Sequence, residues 1–402
     1  MKKLLIITYS FPPINNIASR RFGELVPYLL QNGWEVEILT SNSKGTLPIN
    51  IPESNIIRFG DHPQKSSVVD KDLSHKKANK LLNLKRIFGF NLRVFDRTYF
   101  KWYRQIRKQE ILANKSYDVI LASYGPSASL YLGHYYAKKL NVPWIADFRD
   151  LGALYKDNNF KRNFIAEFID KKIEKKLLSN VTAITSVGDI LSELIGDYYG
   201  KPAFSIFNGW REYNVENIKK NTSGDYIYYA GRFYPHQMKS IYKLINVLEK
   251  VPNISLVIRS LGPSYLNKEL ISYIKESNLT ERISILEPTN QHEVLIESES
   301  SLMNLVLEDL NKDIYWKKGT ITGKLLGLLP LSPPILTIAR EDSEIGKILN
   351  STNKGKVCSN EKDIYKYLST MNKDMYKGNE KIQFYSKKYQ AMRLREILDK
   401  FV

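Results

Sequence analysis

Cysteine occurs once in 402 residues, at Cys358. That excludes a disulfide framework and fits a reducing compartment. Histidine is nearly as scarce, with five scattered residues that assemble no ligand set for a transition metal. No apolar run approaches the length of a membrane span. The short apolar run at residues 4–7 leads into prolines and does not read as a secretion signal. Several motifs are missing as well. There is no G-x-G-x-x-G after the first strand, which counts against a dehydrogenase, and no G-x-S-x-G nucleophile elbow. Thr322-Gly323-Lys324 is not a P-loop, because Gly319 is too close to the lysine and leucine follows it. Asp147-Phe148-Arg149-Asp150 sets its carboxylates three apart with an arginine between, so it is not a D-x-D metal motif, and no metal is expected.

Acid is also short relative to base. Sixty Lys and Arg against 42 Asp and Glu give a net charge of +18. The excess is uneven: residues 71–109 hold twelve basic and two acidic side chains, a net +10. Such a patch suits a polyanionic partner, whether nucleic acid, anionic lipid or a phosphorylated substrate. Within it, Leu81, Leu82, Ile87, Phe88, Leu92 and Phe95 alternate with Lys80, Lys85, Arg86 and Arg93. Tyr99, Trp102, Tyr103 and Ile106 then share one helical face. Two readings compete: apolar stripes that pack on a sheet, or a segment that lies on an anionic membrane. The membrane reading is preferred for 81–95 and the packing reading for the helix that follows. The aromatics look like packing residues and no nucleic-acid module is present, so no nucleic-acid partner is expected.

The rest of the chain is ordinary globular material, 43% hydrophobic and 25% charged, and long enough for two domains. It alternates strands with helices. Strands are predicted at 4–8, 35–40, 55–59, 119–123, 144–147, 183–186 and 203–207. Helices are predicted at 18–31, 128–140, 160–178 and 190–199. Asn208-Gly209 is a turn, 210–225 has linker composition, and the rhythm restarts. Further strands are expected at 226–230, 255–260, 283–286, 302–307 and 335–338, with helices at 241–250, 267–277, 293–298, 323–329, 344–351, 363–371 and 385–401. The fold class is α/β: two Rossmann-like, doubly wound domains, 1–209 and 226–384, facing across a cleft, with 385–402 as a final helix.

In such folds ligands collect at the carboxyl ends of the strands. The first strand ends in a proline turn, Pro12-Pro13, followed by Asn15, Asn16 and Arg20, where helix-start amides can hold an anion. Asn15 and Asn16 also tolerate left-handed backbone. The strand at 144–147 ends in Asp147, Arg149 and Asp150, a cluster suited to acid–base work or to stabilising an oxocarbenium ion. In the second half Gly231-Arg232 closes a strand and Lys239 begins a helix, while Gly319-Thr320-Ile321-Thr322-Gly323-Lys324 opens another. Together these can neutralise a pyrophosphate. Each pattern also has a plain reading, as a capped turn or a structural ion pair.

These stretches carry a resemblance. ITYSFPPINNIASRRFGELVPYLLQNGWEVEILTS, the run from SYDVILASYGPSASLYLGHYYAKKLNVPWIADFRDL, the hinge VTAITSVGDILSELIGDYYGKPAFSIFNG, YYAGRFYPHQMK and GTITGKLLGLL resemble a GT-B glycosyltransferase of the large retaining family 4 type, near the branch that builds bacterial surface polysaccharides. The resemblance implies a nucleotide-diphosphate sugar donor in the C-terminal domain and a glycan or polyprenyl-linked acceptor in the N-terminal one, with no separate cofactor and no metal. It assigns Arg232 and Lys239 to the donor diphosphate, with Thr322 and Gly323 contributing amides and Asn15 and Asn16 approaching the donor; Gly231, Thr320 and Lys324 join them as donor-site candidates from the loop pattern. Asp147, Arg149 and Asp150 fall near the reacting sugar, and Pro13, Arg20 and Tyr124 toward the acceptor. Separately, the lone cysteine and the lack of a secretion signal or span lead to the expectation of a cytoplasmic enzyme, and the basic segment to one peripheral on the inner membrane face. Three departures stand out, one being Asn15-Asn16 where the family often has Gly-Gly. Gly327 and Gly319 replace the family's paired carboxylates, the first of which holds the nucleotide ribose, so the nucleotide or its mode of binding is open. A nucleotide-sugar epimerase and a catalytically degenerate scaffold are the competing readings.

Overall fold

The computed structural model describes residues 1–61, 92–94, 97–155, 163–212, 224–311, 315–371 and 373–402. The chain divides into two compact units. Unit 1 comprises Met1–Phe207 with Lys387–Val402, and unit 2 comprises Asn208–Ser386.

Unit 1 is built on seven strands: β1 (Lys2–Ile7), β2 (Trp34–Asn42), β3 (Ile56–Asp61), β4 (Val119–Ser123), β5 (Trp144–Phe148), β6 (Ala183–Ser186) and β7 (Ala203–Ser205). They lie in the order β3-β2-β1-β4-β5-β6-β7, all paired in parallel. Both faces of the sheet are covered, so its central strands read as unbroken apolar runs; Leu4 to Ile7 and Val119 to Ala122 are fully buried. The connecting helices are α1 (Ile17–Gln31), α2 (Arg97–Gln109), α3 (Ala128–Leu140), α4 (Phe164–Leu177) and α5 (Asp189–Tyr199). Trp102 and Ile106 of α2 are buried, and the indole donates to the Phe59 carbonyl at 2.7 Å.

Unit 2 repeats the plan with β8 (Tyr226–Gly231), β9 (Ser255–Ser260), β10 (Ile283–Leu286), β11 (Met303–Leu307), β12 (Ile335–Ile338) and β13 (Gly355–Cys358) in the parallel order β10-β9-β8-β11-β12-β13. Its helices are α6 (Met238–Leu248), α7 (Ser264–Glu276), α8 (Gln291–Ser300), α9 (Gly323–Leu328), α10 (Glu344–Thr352) and α11 (Glu361–Thr370). The last helix, α12 (Lys387–Asp399), belongs to unit 1, where Ala391, Leu394, Ile397 and Leu398 join the core that α1 makes with the sheet.

The sequence reading differs from the structure in places with a physical cause. β13 has no counterpart in it: the strand is four residues long, lies at the sheet edge and carries an outward lysine, Lys356, so it lacks an apolar signature. The strand expected at 203–207 ends at Ser205; the Ile206 amide still donates to the Ser186 carbonyl at 2.7 Å, and Ile206 and Phe207 are buried. Helices α6 and α7 begin three residues before their predicted starts, since Met238 and Leu266 already face the core. The expected amphipathic stretch at 81–95 and the expected linker lie largely outside the described residues.

Each sheet reverses its strand order once, between β1 and β4 in unit 1 and between β8 and β11 in unit 2. The crevice outside the carboxyl ends at such a reversal is where doubly wound sheets bind ligands.

Candidate functional site

In unit 2 the reversal point holds a desolvated lysine. Lys324, in the first turn of α9, reaches over β8. Its ammonium sits 3.9 Å from the centroid of the Tyr229 ring and donates to that residue's hydroxyl at 2.6 Å. A Cβ on Gly231 would lie 2.5 Å from Nζ, and the glycine's φ of +140° is closed to L side chains. Gly231 is therefore required twice, by the turn and by the lysine. Burial lowers Lys324 to about 8, against the pull of the Glu308 carboxylate. Burial likewise raises Glu308 to about 7, against the pull of Lys324. Near neutrality Lys324 is therefore still mostly cationic, and an anionic ligand beside it would hold that charge to higher pH.

The surrounding loops are tied to this point by their backbones. Gln237 donates from Nε2 to the Leu307 carbonyl at 2.8 Å, and Ser240 donates to the Glu308 carbonyl at 2.7 Å, joining the start of α6 to the end of β11. Lys317 forms an ion pair with Asp309, whose carboxylate also accepts from the Asn311 amide at 2.9 Å. His236 stacks on Tyr234 with ring centroids 5.6 Å apart, and burial is the main cause holding its pKa below the ordinary value. Arg232 and Lys239 are exposed at the rim, the first with its guanidinium 5.9 Å from the Tyr234 ring centroid. Thr320 is exposed, Thr322 is the extended residue preceding α9 and makes no side-chain cap, and Gly323 opens the helix. Because α9 has only six residues, its dipole is small. The positive charge here belongs to Lys324 rather than to a helix terminus.

In unit 1 the predicted acidic cluster separates into three different roles. Asp147 is wholly buried. Its carboxylate receives Arg21 Nη2 at 2.7 Å and Arg21 Nε at 3.0 Å, Thr185 Oγ1 at 2.8 Å and Ser123 Oγ at 3.0 Å. Arg21 spends its remaining terminal nitrogen on the Ile206 carbonyl at 2.9 Å. With these bonds made, the Asp147 side chain is a knot that ties α1, β4, β5, β6 and the chain beyond β7. Arg149 is tied down too. It donates from Nη2 to the carbonyls of Gly125 at 2.9 Å and Tyr124 at 3.1 Å, and burial lowers its pKa. Gly125, with φ of +99°, leaves the space that the guanidinium occupies; a Cβ there would meet Nη2 at 2.3 Å. Asp150 alone is exposed, accepting the Gly152 amide at 2.9 Å.

Around the β1 and β4 ends lie the other predicted residues. Tyr124 is buried and stacks on Phe148 with ring centroids 5.2 Å apart; burial raises its pKa. Pro13 is half-buried, and its carbonyl accepts the Leu47 amide at 2.9 Å. Arg20 donates to the Asn15 side chain at 3.1 Å. Asn16 accepts the Ser19 amide at 2.8 Å as the N-cap of α1, with extended rather than left-handed backbone. Of the four residues expected on a membrane, Arg93 donates to the Tyr155 carbonyl at 2.8 Å and its guanidinium lies 4.6 Å from that ring's centroid; Lys80, Lys85 and Arg86 are outside the described residues.

Two features escape the sequence reading. One is Arg21, although its position four residues before Leu25 sets it beside the apolar stripe of α1. The other is a buried acidic pair on α4. Asp170 accepts the amides of Arg93 at 2.9 Å and Val94 at 3.1 Å. Glu174 accepts the Ala153 amide at 3.1 Å and the Tyr199 hydroxyl, and burial raises it to about 7. Their spacing of four, in phase with Ala166 and Leu177, is the signal that was available. Among the described residues no group of His, Cys, Asp and Glu is placed to hold a metal ion.

No protein-family model and no curated protein matches the sequence. Solved structures do match its shape. Sucrose-phosphate synthase from Thermosynechococcus elongatus superposes with a TM-score of 0.65 at 14% identity, covering 100% of this chain and 99% of that one. HepE from Anabaena, in complex with UDP-glucose, gives 0.59 at 10% identity with complete coverage of both, 100% each. UDP-GlcNAc 2-epimerase from Methanocaldococcus jannaschii gives 0.50 at 13% identity over 99% of each chain. These likenesses establish a two-unit α/β architecture of the GT-B type.

Proposed function

We propose that the chain is a glycosyltransferase that takes a sugar from a nucleotide-diphosphate donor. The observation that carries the reading is Lys324, desolvated at the strand reversal of unit 2, with Arg232 and Lys239 exposed on the same rim. A diphosphate there gains a charge-assisted bond from the lysine. When the C1–O bond to the β-phosphate breaks, negative charge grows on the phosphate, and the same cations stabilise it. The acceptor hydroxyl forms the new bond to C1 and gives up its proton, and the nucleoside diphosphate is released. Gly231, Thr320, Thr322 and Gly323 supply backbone close to the donor. In unit 1, Tyr124, Pro13 and Arg20 border the acceptor, Asp150 is the exposed carboxylate for the reaction, and Asp147 and Arg149 act as positioning residues. The fold shared with a protein that binds UDP-glucose supports a sugar nucleotide as the donor class. Retention at C1, metal independence and the family 4 assignment belong to the same proposal.

The acceptor is proposed to be a growing polysaccharide or a polyprenyl-linked oligosaccharide, met at the cytoplasmic membrane face. The positive charge concentrated in residues 71–109 supports peripheral binding there. No helix among the described residues is long and apolar enough to cross a membrane. The test of the donor class is a thermal-shift screen against UDP-, GDP-, dTDP-, ADP- and CMP-linked ligands without added metal. A rise in melting temperature with one nucleotide, lost in Arg232→Ala or Lys239→Ala, is the expected result; no shift with any of them counts against the donor site and favours a scaffold. The likeness to a 2-epimerase favours a second reading, sugar epimerisation on the same nucleotide. Transfer of label from the donor to a second molecule separates the two.

A further inference from the structure

The outward face of α4 has a composition that covering a sheet does not require. Ala166, Asp170, Glu174 and Leu177 form its buried stripe. At 3.6 residues per turn, Phe164, Ile165, Phe168, Lys172, Lys175 and Lys176 form the opposite one, all of them exposed. Phe164 is 78% exposed, Ile165 45% and Phe168 65%. Among the described residues no other five-residue stretch exposes three large hydrophobic side chains. The carboxylates of Asp170 and Glu174 are turned inward to loop amides, and Glu167 lies at the flank, half-buried, so the outward stripe holds no acid. The helix is therefore aromatic in its first turn and cationic in its later ones.

We infer that this face docks on an anionic lipid bilayer, with Phe164, Ile165 and Phe168 at the headgroup–acyl boundary and Lys172, Lys175 and Lys176 against lipid phosphates. Charge selects this occupant. A negatively charged surface complements the three lysines, whereas a second copy of a chain with net charge +18 would set like charges together. Topology adds a reason. The chain enters α4 after leaving the carboxyl end of β5, so the apolar turn lies toward the rim that carries Arg149 and Asp150. Docking at this helix sets the acceptor rim of unit 1 toward the membrane, which suits an acceptor carried on lipid. The inference rests on the peripheral-membrane reading above and names a different element for the contact.

Sedimentation of the full chain with phosphatidylcholine vesicles, with and without phosphatidylglycerol, tests it. The unaltered protein should pellet with the phosphatidylglycerol vesicles only. Phe164→Ser with Phe168→Ser, and separately Lys172→Glu with Lys175→Glu and Lys176→Glu, should each weaken binding by about tenfold or more. Circular dichroism and the melting temperature should stay as in the unaltered chain, since these side chains are exposed. No binding of the unaltered protein to either vesicle overturns the membrane reading itself. Binding that survives both α4 variants but is lost on charge reversal at Lys80, Lys85 and Arg86 overturns the α4 contact alone. A change of oligomeric state by light scattering in the phenylalanine variant, with vesicle binding intact, marks the face as a protein contact and also overturns it.

Discussion

Lys324 shows how a poor solvent changes a single side chain. With its ammonium against the Tyr229 ring and no room for a side chain at Gly231, water cannot hydrate it fully, and its pKa falls to about 8. Below that pH it is charged and ready for phosphate; above it the charge goes. Binding of a nucleoside diphosphate, measured by calorimetry, should therefore weaken as pH rises through about 8. Lys324→Arg should keep its affinity flat across that range, and Lys324→Met should lose about 10- to 100-fold at pH 7, the cost of one charge-assisted hydrogen bond. Asp147 is the opposite case, a carboxylate consumed by its partners. Removing it in Asp147→Ala strands the Arg21 guanidinium in the interior and should cost about 3–5 kcal/mol of stability in denaturant unfolding. The sequence reading put Lys324 at a helix start and Asp147 at a strand end, where the structure has them, but it could not tell which of the two is consumed by its neighbours. Whether a polar group at a strand end faces a ligand or a neighbouring strand depends on partners far away in the chain, here Arg21, Ser123 and Thr185.

Among the elements, α4 is the helix whose acids divide between its flank and the interior. Two of its carboxylates are inside, receiving the amides of Val94 and Ala153 and so fixing two loops against one helix. Alternating charge looks the same from the sequence whether a carboxylate meets water or a buried amide, because both satisfy it. Glu174 supplies a pH signature. Its folded pKa, about 7, lies above the ordinary carboxyl value, so the folded state holds its proton longer than the unfolded chain does. The stability it contributes is present at low pH and is lost as pH rises from about 4.5 to about 7. Glu174→Gln, which mimics the neutral form, should match the unaltered protein near pH 4.5 and exceed it in melting temperature above about pH 7. The parallel sheets themselves were legible, because strands buried on both faces are runs of Val, Ile and Leu; the short edge strand β13 was not.

For the molecule as a whole, alternation of strand and helix and its restart after residue 209 carried the two-unit plan in plain sight. Shared shape at 10–14% identity shows how much of that plan persists without shared side chains. The net charge of +18 is a property of the same scale. It should make the protein retain duplex DNA at low salt without preference for sequence. That binding should fall steeply between about 0.05 and 0.2 M salt, as a fluorescence anisotropy titration would record. Retention of a particular duplex at the higher salt would point to a nucleic-acid site.

The return of α12 to unit 1 has a consequence for how the chain is made. Unit 2 is encoded as one block, Asn208–Ser386, and its two ends meet where the Trp210 amide donates to the Tyr385 carbonyl at 2.9 Å. Unit 1 is interrupted: the helix whose Leu394 and Leu398 complete its core emerges from the ribosome only after unit 2. At about 5–20 residues per second, the nascent first unit waits roughly 10–40 s with that side of α1 uncovered while the second is synthesised. Of the two units, the one begun first is completed second, and its open flank during that interval is where a chaperone would find this protein.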